Sequence, residues 1–178
     1  MRVVSNTGPL IALAKLDLIA IVESLFTQVM IPAVVHEELL MNPEREDEIE
    51  RIRAAVSRGI LRVIDRQTPL MPPRPSEPAI ALRALGPGES EAIRLALQLR
   101  GFVEFQSPLL LMDDKAGRRA ADRLGLRVTG VIGILLHAKQ DGHITEVGPL
   151  LQTMRENGYW LSERAIREAM KLAGEVLS

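Results

Sequence analysis

Hydrophobic positions along this chain fall into runs of two lengths. Short apolar runs occupy Met1–Ser5, Gln28–Ile31, Ile60–Ile64, Leu109–Met112 and Leu126–Val128, each the length of a strand. Between them the pattern predicts helices over Pro9–Leu16, Leu18–Leu25, Pro32–Leu40, Glu44–Ser57, Glu89–Arg100, Lys115–Leu124, Val131–Gln140, Thr145–Glu156 and Ser162–Gly174. In Glu44–Ser57, for example, Ile49, Ile52 and Val56 recur at +3 and +4, one face of a helix. Asn6-Thr-Gly-Pro, Asn42-Pro43, Gly59 and Gly125 punctuate the elements. Near-continuous apolar strands alternating with helices imply an α/β fold, a short parallel sheet covered on both faces. Gln67–Pro87 holds six of the eleven prolines and reads as an irregular surface segment. Neither flank looks self-sufficient, so residues 1–178 read as a single domain.

Composition narrows the chemistry. The 178 residues are 47% hydrophobic and 25% charged, which excludes a disordered chain. Lys+Arg is 22 and Asp+Glu is 23, for a net charge of −1. That balance excludes a protein that coats nucleic acid, because such binding rests on a broad basic surface. A polyanion here must be met by a local basic patch or by a metal. Aromatic residues are 3%, too few for the stacking platform of a single-strand-binding protein. The chain has no Cys, which excludes disulfides, thiolate metal sites and thiol nucleophiles and fits a reducing cytoplasm. The longest apolar runs, Val131–Ala138 and Pro9–Ala14, fall short of the roughly 18–20 residues of a membrane span.

In a parallel sheet, ligands bind beyond the carboxyl ends of the strands. Four segments place an acid or amide there. Asn6, beside Thr7, follows the first strand and doubles as a candidate N-cap. Glu38 falls within the apolar arc of Ile31, Val34, Val35 and Leu39, whereas Glu37 points away. A carboxylate on such a face needs a metal, an Arg or hydrogen bonds, unless a frayed helix end leaves it in solvent. Glu89 and Glu91 lie in the first turn of a helix, where acids are favoured by the helix dipole alone. Asp113 and Asp114 follow the fourth strand. One of them can cap the next helix, and the other is left over as a ligand for Mg²⁺ or Mn²⁺, which take oxygen donors. Lys115, Arg118, Arg119 and Arg123 share that next helix, either as a solvated face with an Arg118–Asp122 pair or as phosphate contacts. His137 reads as a core histidine, and Tyr159 and Trp160 as core or interface anchors.

The order of motifs resembles the PIN-domain superfamily, nearest its prokaryotic members related to type II toxin–antitoxin toxins. The resemblance rests on Val3-Val-Ser-Asn-Thr-Gly-Pro-Leu-Ile-Ala-Leu, Ile31-Pro-Ala-Val-Val-His-Glu-Glu-Leu, Gly88-Glu-Ser-Glu-Ala-Ile, Leu110-Leu-Met-Asp-Asp-Lys-Ala-Gly-Arg-Arg and Val128-Thr-Gly-Val-Ile-Gly. It implies a three-layer α/β/α fold and a Mg²⁺- or Mn²⁺-dependent endoribonuclease that cuts single-stranded RNA, leaving a 3′-hydroxyl and a 5′-phosphate. It also implies a cognate antitoxin and a homodimer. By position, Asn6, Glu38, Glu91 and Asp114 match the acidic set, with Glu89 competing with Glu91 and Asp113 beside Asp114. Thr7 could assist through its hydroxyl. Asn6 stands where the family usually has Asp, and an amide ligates a cation without charge. A non-catalytic PIN-like module that binds RNA or a partner is the alternative.

Overall fold

Five short strands form one all-parallel sheet in the order β3-β2-β1-β4-β5. The computed structural model describes residues 2–41, 43–65, 82–101 and 108–176. In chain order the elements are β1 (Val3–Ser5), α1 (Thr7–Lys15), α2 (Ile19–Phe26), β2 (Val29–Pro32), α3 (Ala33–Leu40) and a 3-10 turn (Pro43–Arg45). There follow α4 (Glu46–Ser57), β3 (Leu61–Ile64), α5 (Pro87–Gly101), β4 (Leu109–Leu111) and α6 (Lys115–Arg123). The chain continues through β5 (Arg127–Thr129), α7 (Val131–Gln140), α8 (Gly148–Glu156) and α9 (Glu163–Ala173). This is the expected α/β architecture.

Side-chain alternation along the strands builds the three layers. Val3, Ile31, Leu61 and Leu111 enter one core, with residues of α1–α4 and α7–α9. Val4, Leu110 and Met112 enter a second core on the opposite face, with Ala92, Ile93 and Ala96 of α5 and Ala120 and Ala121 of α6. Both faces are therefore covered, and the strands read as unbroken apolar runs for that reason.

Two boundaries differ from the pattern-based expectation. Pro87 opens α5 rather than closing the proline-rich segment, in keeping with its fixed φ and missing N–H at a helix start. Residues 67–81 of that segment lie outside the described residues. The helix expected from Thr145 begins at Gly148, with Pro149 in its first turn. No helix among the described residues is long and apolar enough to cross a membrane.

Strand order locates the ligand crevice. From β1 the chain steps outward to β2 and β3, then returns to β4 on the other side of β1. Neighbouring loops at the β1 and β4 carboxyl ends leave toward opposite faces, and a cleft opens between them. Asn6 follows β1 there, and Asp113 and Asp114 follow β4.

Candidate functional site

β1 delivers Asn6 to the cleft, where its backbone amide donates to the Leu111 carbonyl at 3.1 Å. Asn6 occupies the N-cap position of α1, yet its side chain makes no cap hydrogen bond. It is only 5% exposed, and its Oδ1 has no hydrogen-bond partner. A buried polar atom left unpaired costs about 1–3 kcal/mol. Capping therefore does not account for Asn6, and the residue lines a space that a ligand can fill.

That space is a cleft of about 440 Å³ lined by Asn6, Thr7, Gly8, Glu38, Gly86, Gly88, Glu89, Asp113, Asp114, Lys115, Tyr159 and Trp160. Glu38 reaches it from α3, half-buried, while Glu37 is exposed. The Thr7 hydroxyl donates to Glu38 Oε2, and the Gly88 amide donates to Oε1 at 2.9 Å. Glu38 is thus held by two elements rather than lying at a frayed end. Glycine at 88 leaves room for the Glu38 carboxylate, which a Cβ there would displace.

α5 contributes Glu89. Its Oε2 accepts from the Gly86 amide at 3.0 Å. Burial raises the Glu89 carboxyl above the ordinary carboxylate range. The Gly86 amide opposes this, while the negative charges of Asp114 and Glu38 add to it. Three carboxylates from three elements therefore share one electrostatic environment. Glu91, expected to match the family position, does not line the cleft. It pairs with Arg94 one helical turn on, at 3.1 Å.

Asp113 and Asp114 both bind helix N-termini. Asp114 caps α6 through Oδ1, accepting from the Gly117 amide at 2.8 Å. Asp113 Oδ1 accepts from the Val131 amide of α7 at 3.0 Å. The expectation that only one aspartate could cap is corrected here, because a second helix start lies within reach. Asp113 Oδ2 is buried and lacks a partner at proper hydrogen-bonding geometry, although the Tyr159 hydroxyl lies near. Burial raises the Asp113 carboxyl, opposed by the Tyr159 hydroxyl, the Val131 amide and the Arg118 charge.

Among the basic residues, Lys115 is exposed and lines the cleft. Arg119 and Arg123 are exposed on α6. Arg118 is half-buried and donates to the Met112 carbonyl at 3.0 Å, so it braces the end of β4 rather than pairing with Asp122. His137 is no core residue: its side chain is 45% exposed and sits 3.4 Å from Asp141. Tyr159 packs against the core and Trp160 is exposed. The expectation of core or interface anchors does not include their place on the cleft. Their position just before α9 carried no local signal for it.

The donor chemistry suits a hard divalent cation. All candidate donors are oxygens, and Asn6 Oδ1 is buried without a partner. Glu89, Asp113 and Asp114 each have one oxygen in a hydrogen bond to a backbone amide, which leaves the other to face a ligand. Among the described residues no three Asp, Glu, His or Cys side chains already stand at ligand spacing. A cation would use the carboxylate oxygens that the Gly86, Gly117 and Val131 amides leave over.

A family model described as a PIN domain matches residues 2–175. Among curated proteins none matches the chain.

Proposed function

The chain belongs to the PIN-domain superfamily, and from that premise we propose that it is a Mg²⁺- or Mn²⁺-dependent endoribonuclease cleaving single-stranded RNA. PIN domains are generally nucleases and typically use divalent metals. The observation that carries the finer reading is the cleft at the β1 and β4 ends, where Asn6, Glu38, Glu89, Asp113 and Asp114 are brought together. We further take the protein to be the cytoplasmic toxin of a type II toxin–antitoxin pair, a homodimer with a cognate antitoxin.

When bound, the metal supplies Lewis-acid chemistry, lowering the pKa of water and neutralising phosphate charge. Asn6, Glu89, Asp113 and Asp114 would hold it through their remaining oxygens. In this role Glu89 replaces Glu91, which is turned to Arg94. Glu38 is oriented by the Gly88 amide and the Thr7 hydroxyl. It is placed to accept a proton from a water entering the cleft. Lys115, with Arg119 and Arg123 beyond it, would hold the RNA phosphates.

The test is cleavage of a generic single-stranded RNA by purified protein, with and without Mg²⁺ or Mn²⁺. Glu38→Gln and Asp114→Asn should each lower the rate about a hundredfold or more. Both are near-isosteric, and Asn is as good an N-cap as Asp, so the melting temperature should stay close to wild type. Equal rates in these variants would sink the mechanism. The neutral amide of Asn6 favours a second reading, a module that binds RNA without cutting it. Asn6→Asp separates the two. In a weakened nuclease the added charge lowers the metal concentration needed for cleavage, whereas a binding module stays inactive at every metal concentration.

A further inference from the structure

Trp160 is the chain's only tryptophan, and it stands 84% exposed on the rim of the acidic cleft. Its sequence neighbours are fixed. Tyr159 and Leu161 pack against the core, and the Tyr159 amide donates to the Met154 carbonyl at 2.9 Å. The backbone is anchored on both sides, and the indole between is held out into solvent. A large apolar ring so placed forgoes the stabilisation that burial would give it. Exposure rules out the core for Trp160 and leaves a contact outside the fold to account for it.

Two kinds of partner use exposed tryptophans. Protein hot spots seat them in apolar, well-packed surroundings that exclude water. Trp160 instead shares its cleft with Asn6, Thr7, Glu38, Glu89, Asp114 and Lys115. An unpaired nucleobase needs only a flat face to stack on and a cation for the neighbouring phosphate. Lys115 supplies that cation on the same cleft.

We propose that Trp160 is a base-stacking residue of the cleft: it holds one unpaired base of a single-stranded nucleic acid beside the phosphodiester at the acidic residues. The proposal rests on the nuclease reading for what occupies the cleft. It adds a selection for single strands, since the bases of a duplex are already stacked on both faces. Low aromatic content excludes a platform of several rings, but one ring is enough to fix one nucleotide.

Because the chain has one tryptophan, its emission reports this site alone when excited where tyrosine does not absorb. Single-stranded RNA, added with the divalent metal withheld, should quench that emission, and a duplex of the same length should not. Loss of one base stack corresponds to about five- to 140-fold in affinity. Trp160→Ala should therefore weaken RNA binding and raise KM by that factor with kcat unchanged, and Trp160→Phe should recover most of it. Wild-type binding by Trp160→Ala overturns the proposal. So does unchanged emission at RNA saturation followed by the anisotropy of labelled RNA. Either result leaves the nuclease reading standing if the wild type cleaves. Quenching by single strands in a protein that cleaves nothing supports the stacking and sinks the nuclease. A Trp160→Ala variant that binds RNA normally but sediments differently overturns the proposal in favour of a protein contact.

Discussion

Asp113 and Asp114 are adjacent in sequence and serve two different helices. Asp114 caps the helix it precedes, as the sequence suggests. Asp113 reaches across to Val131, eighteen positions on. That reach exists because β4 and β5 run side by side, with the Met112 amide on the Thr129 carbonyl at 2.8 Å. A contact of this kind depends on strand pairing and leaves no trace in local sequence. Asn6 shows the reverse case: its position at the sheet edge was legible, but its failure to cap was not, since only packing decides whether the side chain meets its helix. The environment of Asp113 has a measurable consequence. Its carboxyl is raised, mainly by burial, so the folded chain holds that proton more tightly than the unfolded chain. Its contribution to stability is greatest below the ordinary carboxylate range and declines as pH rises through that range toward the shifted value. Asn at this position can still accept from the Val131 amide and does not titrate. Asp113→Asn should melt higher than wild type at neutral pH, in the presence of a chelator, and should lose the advantage in acid. A lower melting temperature at neutral pH would mean that the charge of Asp113 holds α7 in place.

At the scale of elements, the first turn of α5 decides which acid enters the cleft. Residues two apart on a helix point about 200° from one another, so Glu89 and Glu91 cannot both face it. The sequence narrows the choice to these two. The phase is set by how α5 docks, with Ala92, Ile93 and Ala96 buried against the sheet. At this docked position Gly88, with no Cβ, lets the Glu38 carboxylate of α3 sit against the start of α5. Gly88→Ala tests this joint. The obstructed atoms are the far end of a flexible side chain, so the fold can yield cheaply. Alanine also favours the helical state by up to about 1 kcal/mol. The expected result is a melting temperature near or above wild type, with cleavage reduced at least tenfold as Glu38 is pushed from its two hydrogen bonds. Unchanged activity would show that the position of Glu38 does not matter to the reaction. A collapse in stability would place the strain in the α3–α5 contact itself.

For the whole molecule, the strand order is what would let a nearly neutral chain handle RNA, as proposed. Apolar runs and their spacing made the parallel sheet and its two covered faces legible, because burial on both sides forces that pattern. The residues that follow β1 and β4 come together only because the return from β3 places β4 beside β1, and no stretch of sequence states that order by itself. With 22 basic against 23 acidic side chains, binding cannot rest on overall charge. It must rest on the few cations near the cleft. Arg118 is committed to the Met112 carbonyl, which leaves Lys115, Arg119 and Arg123 exposed along α6. Each phosphate neutralised on a single strand contributes about −0.7 to the slope of log affinity against log salt. Three contacts therefore predict a slope of about −2 for a short single-stranded RNA, far shallower than that of a basic coat protein. The measurement is RNA anisotropy across a salt series at fixed divalent concentration. Replacing Lys115, Arg119 and Arg123 together by Ala should flatten the slope toward zero and weaken binding most at low salt, while the stack on Trp160, insensitive to salt, remains. A steep slope in the wild type, or an unaltered one in the triple variant, would route the RNA away from α6.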